Sequence, residues 1–107
     1  MARVVRTHSA RRDLKEIGRY IARQSQSLEK ALRFLDRIDE RCQLYAGQPE
    51  LGIPRPDLGP HVRCFVVADY VVFYEPQPGG IRVLLVTHGS RDIPNLFRER
   101  FVQENDR

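Results

Sequence analysis

A chain of 107 residues has room for one hydrophobic core, which excludes a two-domain enzyme and makes residues 1–107 a single domain. With 41% hydrophobic and 30% charged residues it has the composition of an ordinary globular protein that needs no metal or disulfide to fold. Eighteen basic against fourteen acidic residues give a net charge of +4, and sixteen of the basic residues are arginine, which reflects either codon usage or recognition of phosphate. The excess is uneven: residues 1–47 carry eleven basic and six acidic groups, residues 48–107 seven and eight.

Chain order predicts β-α-α-β-β-β-α. Residues 3–7 (RVVRT) are β-prone, and Ser9 can cap a helix over about 10–25, whose apolar stripe is Ala10, Leu14, Ile17 and Ile21. Arg11, Arg12, Lys15, Arg19 and Arg23 fall on its other side, as a solvated face or a binding face. Ser27 can cap a second helix carrying Leu28, Ala31, Leu35, Ile38, Cys42 and Tyr45, and Gly47 with Pro49 ends it. So short a break makes the two helices an antiparallel hairpin.

Residues 47–60 hold three glycines and four prolines, too many for a helix or central strand, yet Leu51, Ile53 and Leu58 can anchor the loop. Strand-like runs follow at Val62–Val67, Tyr70–Glu75 and Ile81–His88, and their short connections predict an antiparallel meander. In the last run Ile81, Val83, Leu85 and Thr87 alternate with Arg82, Leu84, Val86 and His88, so both sheet faces are partly apolar. A short helix over Asp92–Val102 could cover the face that the hairpin leaves open, or that face could await a partner. The expected architecture is α+β: an N-terminal strand and a helical hairpin packed on a small antiparallel sheet.

Few residues advertise chemistry. Cys42 and Cys64 are isolated and His8, His61 and His88 are scattered, so neither a metal nor a cofactor is expected. Gly89-Ser90-Arg91 lacks the second glycine of a nucleophile elbow. No apolar run approaches the length of a membrane span and the N-terminus lacks a signal-like apolar segment, which predicts a cytoplasmic protein with no membrane contact. Arg55, Arg63, Arg82, His88 and Arg91 gather at strand ends and loops; Arg63 could bind a ligand or pair with Asp69, Glu75 or Asp92, and His88 and Arg91 could equally be structural.

The ordered set Ala10-x-x-Asp13-Leu14-x-x-Ile17-x-x-Tyr20-Ile21-Ala22, Ala31-x-Arg33-Phe34-Leu35, Pro49-x-x-Gly52, Asp57-Leu58, Val62-Arg63-x-Phe65, Tyr70-Val71-Val72-Phe73-Tyr74 and His88-Gly89-x-Arg91-Asp92 resembles the RelE/ParE family of bacterial toxins over nearly the whole chain. The resemblance implies the toxin of a type II toxin-antitoxin module, held inactive in a hetero-oligomer with a cognate antitoxin. RelE-like members cleave mRNA on the ribosome, whereas ParE-like members inhibit DNA gyrase.

Phe97 stands where RelE-like toxins carry a tyrosine, and a phenyl ring can stack but has no hydroxyl for proton transfer. Gyrase inhibition is therefore the favoured expectation, a ribosome-dependent endoribonuclease the alternative, and a degenerate toxin that binds only its antitoxin a third. Arg63, Arg82, His88, Arg91 and Phe97 are the expected target contacts, with Arg63, His88 and Arg91 as catalytic candidates should the chain cleave RNA. Arg11, Lys15, Arg19 and Arg23 are the expected antitoxin contacts. Leu14, Ile21 and Leu35 are expected in the core, and loss of Arg63 or Arg91 is expected to affect toxicity more than folding.

Overall fold

The computed structural model describes residues 2–104, and side chains as far as Phe101; Met1 and residues 105–107 of the expected domain lie outside the described residues. Strand β1 (Arg3–Arg6) leads into helices α1 (His8–Ser25) and α2 (Leu28–Gly47). A 3₁₀ turn (Pro49–Leu51) and a two-residue strand β2 (Ile53–Pro54) precede β3 (Arg63–Val67), β4 (Tyr70–Gln77), β5 (Gly80–His88) and helix α3 (Ile93–Glu104). The proline-rich loop thus contains an edge strand, where a missing N–H is tolerated.

Thr7, not Ser9, caps α1: its Oγ1 accepts the Ala10 N–H at 3.0 Å, and Ser9 is buried inside the first turn. Ser27 caps α2 as expected, accepting the Lys30 N–H at 3.1 Å. Between them Gln26 adopts the left-handed conformation (φ 55°) that ends α1, and its N–H bonds the Ala22 carbonyl.

The five strands form one sheet in the order β1-β5-β4-β3-β2. Strands β2 to β5 are antiparallel, but β1 runs parallel to β5, Arg3 beside Gly80 and Arg6 beside Val83. The sheet is therefore mixed rather than wholly antiparallel, because the helical hairpin serves as part of a long crossover. Gly80 permits the close approach of the two strands: a Cβ there would sit 1.8 Å from the Arg3 carbonyl oxygen.

A bulge interrupts β5. Tyr74 pairs with Val83 and Phe73 with Leu85, leaving Leu84 unmatched. The expected strict alternation fails at that point: Ile81, Val83 and Val86 face the helices, while Leu84 and Leu85 both join the opposite cluster. The first cluster contains Ala10, Ile17, Ile38, Cys42, Phe65, Val72 and Tyr74, and Tyr45 stacks on Phe65 with centroids 4.1 Å apart. Leu14 and Ile21 are half-buried at its margin, Leu35 is half-buried across Gly18, and Leu28 is exposed.

The second cluster lies beneath α3 and contains Val62, Cys64, Phe73, Leu84, Leu85 and Phe97. Phe97, expected as a target contact, is only 5% exposed, with its ring edge-on to Phe73 at 5.3 Å. Burying a side chain of that size stabilises the docked helix by about 1.5–3 kcal/mol. The open sheet face is thus closed by the chain's own C-terminal helix.

Candidate functional site

Strand β1 ends at Arg6 because Thr7 turns the chain into α1, whereas β5 continues to His88. Past Val83 no strand among the described residues pairs with that side of β5, and side chains take over the ladder. Asp13 Oδ2 accepts the Val86 N–H at 3.0 Å, and Arg100 Nη1 donates to the Leu84 carbonyl at 3.2 Å. The two close on each other, Arg100 Nη1 to Oδ2 at 2.8 Å and Nη2 to Oδ1 at 2.9 Å, with side chains only 13% (Asp13) and 20% (Arg100) exposed. This bidentate pair joins α1, β5 and α3 at one point.

Beyond the pair lies a groove of about 650 Å³ between α1, the uncovered edge of β5 and the turn into α3; Glu16, Tyr20, Tyr70, His88 and Arg91 line it. In an extended strand the N–H and C=O of one residue point the same way, so the Val86 carbonyl also faces this groove. Tyr70 meets His88 edge-on at 5.4 Å, and burial, followed by the neighbouring Tyr20, raises the Tyr70 hydroxyl pKa. The Ser90 N–H donates to His88 Nδ1 at 3.1 Å, and Ser90 Oγ lies 2.8 Å from the same atom. Nδ1 is thereby an acceptor, so a neutral ring carries its proton on Nε2 and presents a donor to the groove rather than a free base. Arg91 is exposed and has no carboxylate partner among the described residues.

Arg63 sits elsewhere. Its guanidinium donates to the Glu50 carbonyl at 2.9 Å and the Gly52 carbonyl at 2.8 Å, and pairs with Glu50 Oε1 at 2.8 Å. The expected pairing with Asp69, Glu75 or Asp92 is replaced by one with a residue of the 47–60 loop. Tyr74 completes this clamp, its hydroxyl donating to the Pro49 carbonyl at 2.6 Å and accepting the Gly52 N–H at 3.0 Å. Gly52 is required there, since a Cβ would lie 2.2 Å from the Tyr74 hydroxyl. Nearby, Arg55 forks onto Asp57 at 3.0 and 2.9 Å and lies over the Phe73 ring.

The structure brings His88 and Arg91 together but not the rest of the expected set. Arg82 is half-buried opposite Glu75 near the start of β5, about 20 Å along the strand from His88. Arg63 pairs in register with Tyr74 and Phe97 is core, so Arg63, His88 and Arg91 share no common centre. Arg11, Lys15, Arg19 and Arg23 are all exposed on α1, outside the groove lining. Asp13 and Arg100 were not singled out as site residues, although a carboxylate three residues after Ala10 and four before Ile17, within an apolar stripe, is the signal that could have found one of them.

This arrangement, a helical hairpin and C-terminal helix on opposite faces of a five-stranded mixed sheet, is a known fold. A chain from the chromosomal ParDE toxin-antitoxin system of P. aeruginosa superposes with a TM-score of 0.68 at 22% identity, covering 82% of this chain and 96% of that one. Residues 4–93 match the family described as the ParE toxin of the type II toxin-antitoxin system parDE, and the chain belongs to that family. No curated protein is similar enough in sequence to extend the comparison. No helix among the described residues is long and apolar enough to cross a membrane.

Proposed function

We propose that this toxin arrests growth by binding and inhibiting DNA gyrase, and that a cognate antitoxin neutralises it by laying an extended segment into the groove beside β5. The observation that favours inhibition over RNA cleavage is that two of the three candidate catalytic groups are engaged and apart: Arg63 holds a loop and His88 Nδ1 is committed to Ser90, which leaves Arg91 alone. A ribonuclease needs such groups free around one phosphate. His88 Nε2, Arg91 and Tyr20 remain as contacts for a protein target.

The antitoxin reading rests on the edge of β5. An added strand would meet the outward Val86 carbonyl and pack against Tyr20 and Tyr70. Acidic residues of such a partner would be steered by Arg11, Lys15, Arg19 and Arg23, which raises the association rate more than the affinity. Induced expression separates the targets. Filamentation with gyrase-dependent DNA breaks, and inhibition of purified gyrase in a supercoiling assay, support the proposal; codon-dependent mRNA cleavage assigns the ribosomal alternative, and undisturbed growth leaves a protein that binds only its antitoxin.

A further inference from the structure

Groove and cations occupy different sides of α1. Asp13, Glu16 and Tyr20 line the groove, whereas Arg12, Lys15, Arg19 and Arg23, spaced by three, four and four residues, form an exposed ridge with Arg11 on its shoulder. The ridge runs for about 16 Å at the helical rise. None of these five side chains has a carboxylate partner among the described residues; the four ion pairs there use Arg6, Arg55, Arg63 and Arg100.

The placement is electrostatically unfavourable for the isolated helix. Arg11 and Arg12 lie close to the positive end of α1, which has no acidic residue in its first turn. On α2, by contrast, Glu29 sits in the first turn and Asp36, Asp39 and Glu40 interleave with Lys30, Arg33, Arg37 and Arg41. The α2 cations form no ion pair among the described residues either, but carboxylates are interleaved along their whole length, whereas only Glu16 stands beside the ridge of α1. That less compensated charge points to an external polyanion.

The ridge also lacks what other partners need. Outside the groove lining the exposed positions of α1 are His8, Arg11, Arg12, Lys15, Arg19, Arg23 and Gln24, with no apolar residue to form the desolvated centre of a protein interface. Tyr20 belongs to the groove lining, so the one ring on the ridge for unpaired bases to stack on is the His8 imidazole at its N-terminal end. A duplex backbone asks for neither, and over about 16 Å it presents roughly ten negative charges. We propose that the outer face of α1 is a contact surface for the phosphate backbone of duplex DNA, independent of sequence and compatible with an antitoxin in the groove.

This goes beyond gyrase inhibition and does not depend on it, because the test uses purified toxin and DNA alone. Fluorescence anisotropy with a labelled random-sequence 20-base-pair duplex is measured from 50 to 200 mM salt. Four backbone contacts predict a log–log slope near −3.6, a loss of roughly 150-fold in affinity over that range. The quadruple variant Arg12→Gln, Lys15→Gln, Arg19→Gln, Arg23→Gln should abolish most of the slope, with folding verified by circular dichroism. A control with the same charge change, Lys30→Gln, Arg33→Gln, Arg37→Gln, Arg41→Gln on α2, should leave it at −3 or steeper. Equal losses in both variants would mean net charge alone, and overturn the proposal. So would absence of binding at 50 mM salt, or tighter binding to a poly-glutamate peptide or a duplex RNA of matched charge.

Discussion

Replacing Arg63 with methionine keeps the aliphatic stem and removes three contacts to the 49–52 turn. These contacts are unequal. The ion pair to Glu50 reaches a carboxylate that is 78% exposed and contributes at most about 1 kcal/mol. The Gly52 carbonyl is part-buried, and a charge-assisted bond to such a group contributes about 1.5–3 kcal/mol. Arg63→Met should therefore cost about 2–3 kcal/mol, and Glu50→Ala less than about 1. Tyr74→Phe strands the Pro49 carbonyl and the Gly52 N–H, which costs about 1–3 kcal/mol. Because both variants loosen one turn, the double variant should fall short of their sum by about 0.5–1.5 kcal/mol. Equilibrium urea unfolding followed by circular dichroism measures all four. A loss below 0.5 kcal/mol for Arg63→Met, or equal losses for Arg63→Met and Glu50→Ala, would refute the clamp. If the clamp is the whole role of Arg63, growth arrest should weaken in parallel for Arg63→Met and Tyr74→Phe; toxicity lost only in the former would return Arg63 to the target interface.

Three further expectations concern other parts of the fold. Asp13→Ala removes the acceptor of the Val86 N–H and the partner of Arg100, and should destabilise by about 2–4 kcal/mol; a double-mutant cycle with Arg100→Ala should show coupling above about 1 kcal/mol, and simple additivity would count against a shared latch. Gly80→Ala drives a methyl into the Arg3 carbonyl, so hydrogen exchange should show β1 amides losing protection before those of β3 and β4; unchanged β1 protection would contradict the tight approach. Burial pushes the Cys42 thiol from 9.0 up to about 11, so the folded state favours the protonated form. That stability is present below pH 9 and is lost as pH rises toward 11, by up to about 2–3 kcal/mol; an unfolding series over that window should be flatter for Cys42→Ala than for wild type.

The hairpin was legible because its information is local. A 3.6-residue apolar repeat defines each helix without reference to the rest of the chain, and Ser27 is the cap it suggests for α2. At α1, however, two hydroxyl residues compete, and Thr7, not Ser9, stands three residues before the amide it caps. The parallel pairing of β1 was not, since RVVR carries nothing that names a partner near residue 80. Nor was the bulge: Leu84 and Leu85 are equally apolar, so alternation alone reads smoothly through the point where the ladder slips.

The site was harder still. Arg63 has acidic neighbours in the later strands, and only the folded turn shows that Glu50, in a loop thirteen residues earlier, is nearer. Phe97 reads as an available ring until α3 is seen to close the second sheet face. The placing of His88 and Arg91 at one groove was legible because a turn leaving a strand exposes polar groups wherever the strand ends.

The parallel neighbour of β1 is also the last strand to be synthesised. Until the ribosome has made Gly80 to His88, the apolar stripe of α1 lacks the Ile81, Val83 and Val86 surface, and β1 has no strand to join. A nascent chain halted within β4 therefore has neither the groove nor the Asp13–Arg100 latch, whose second half is made later still. Translation must pass Arg100 before the latch can close, so the toxin cannot assemble its groove while its strands are still being made.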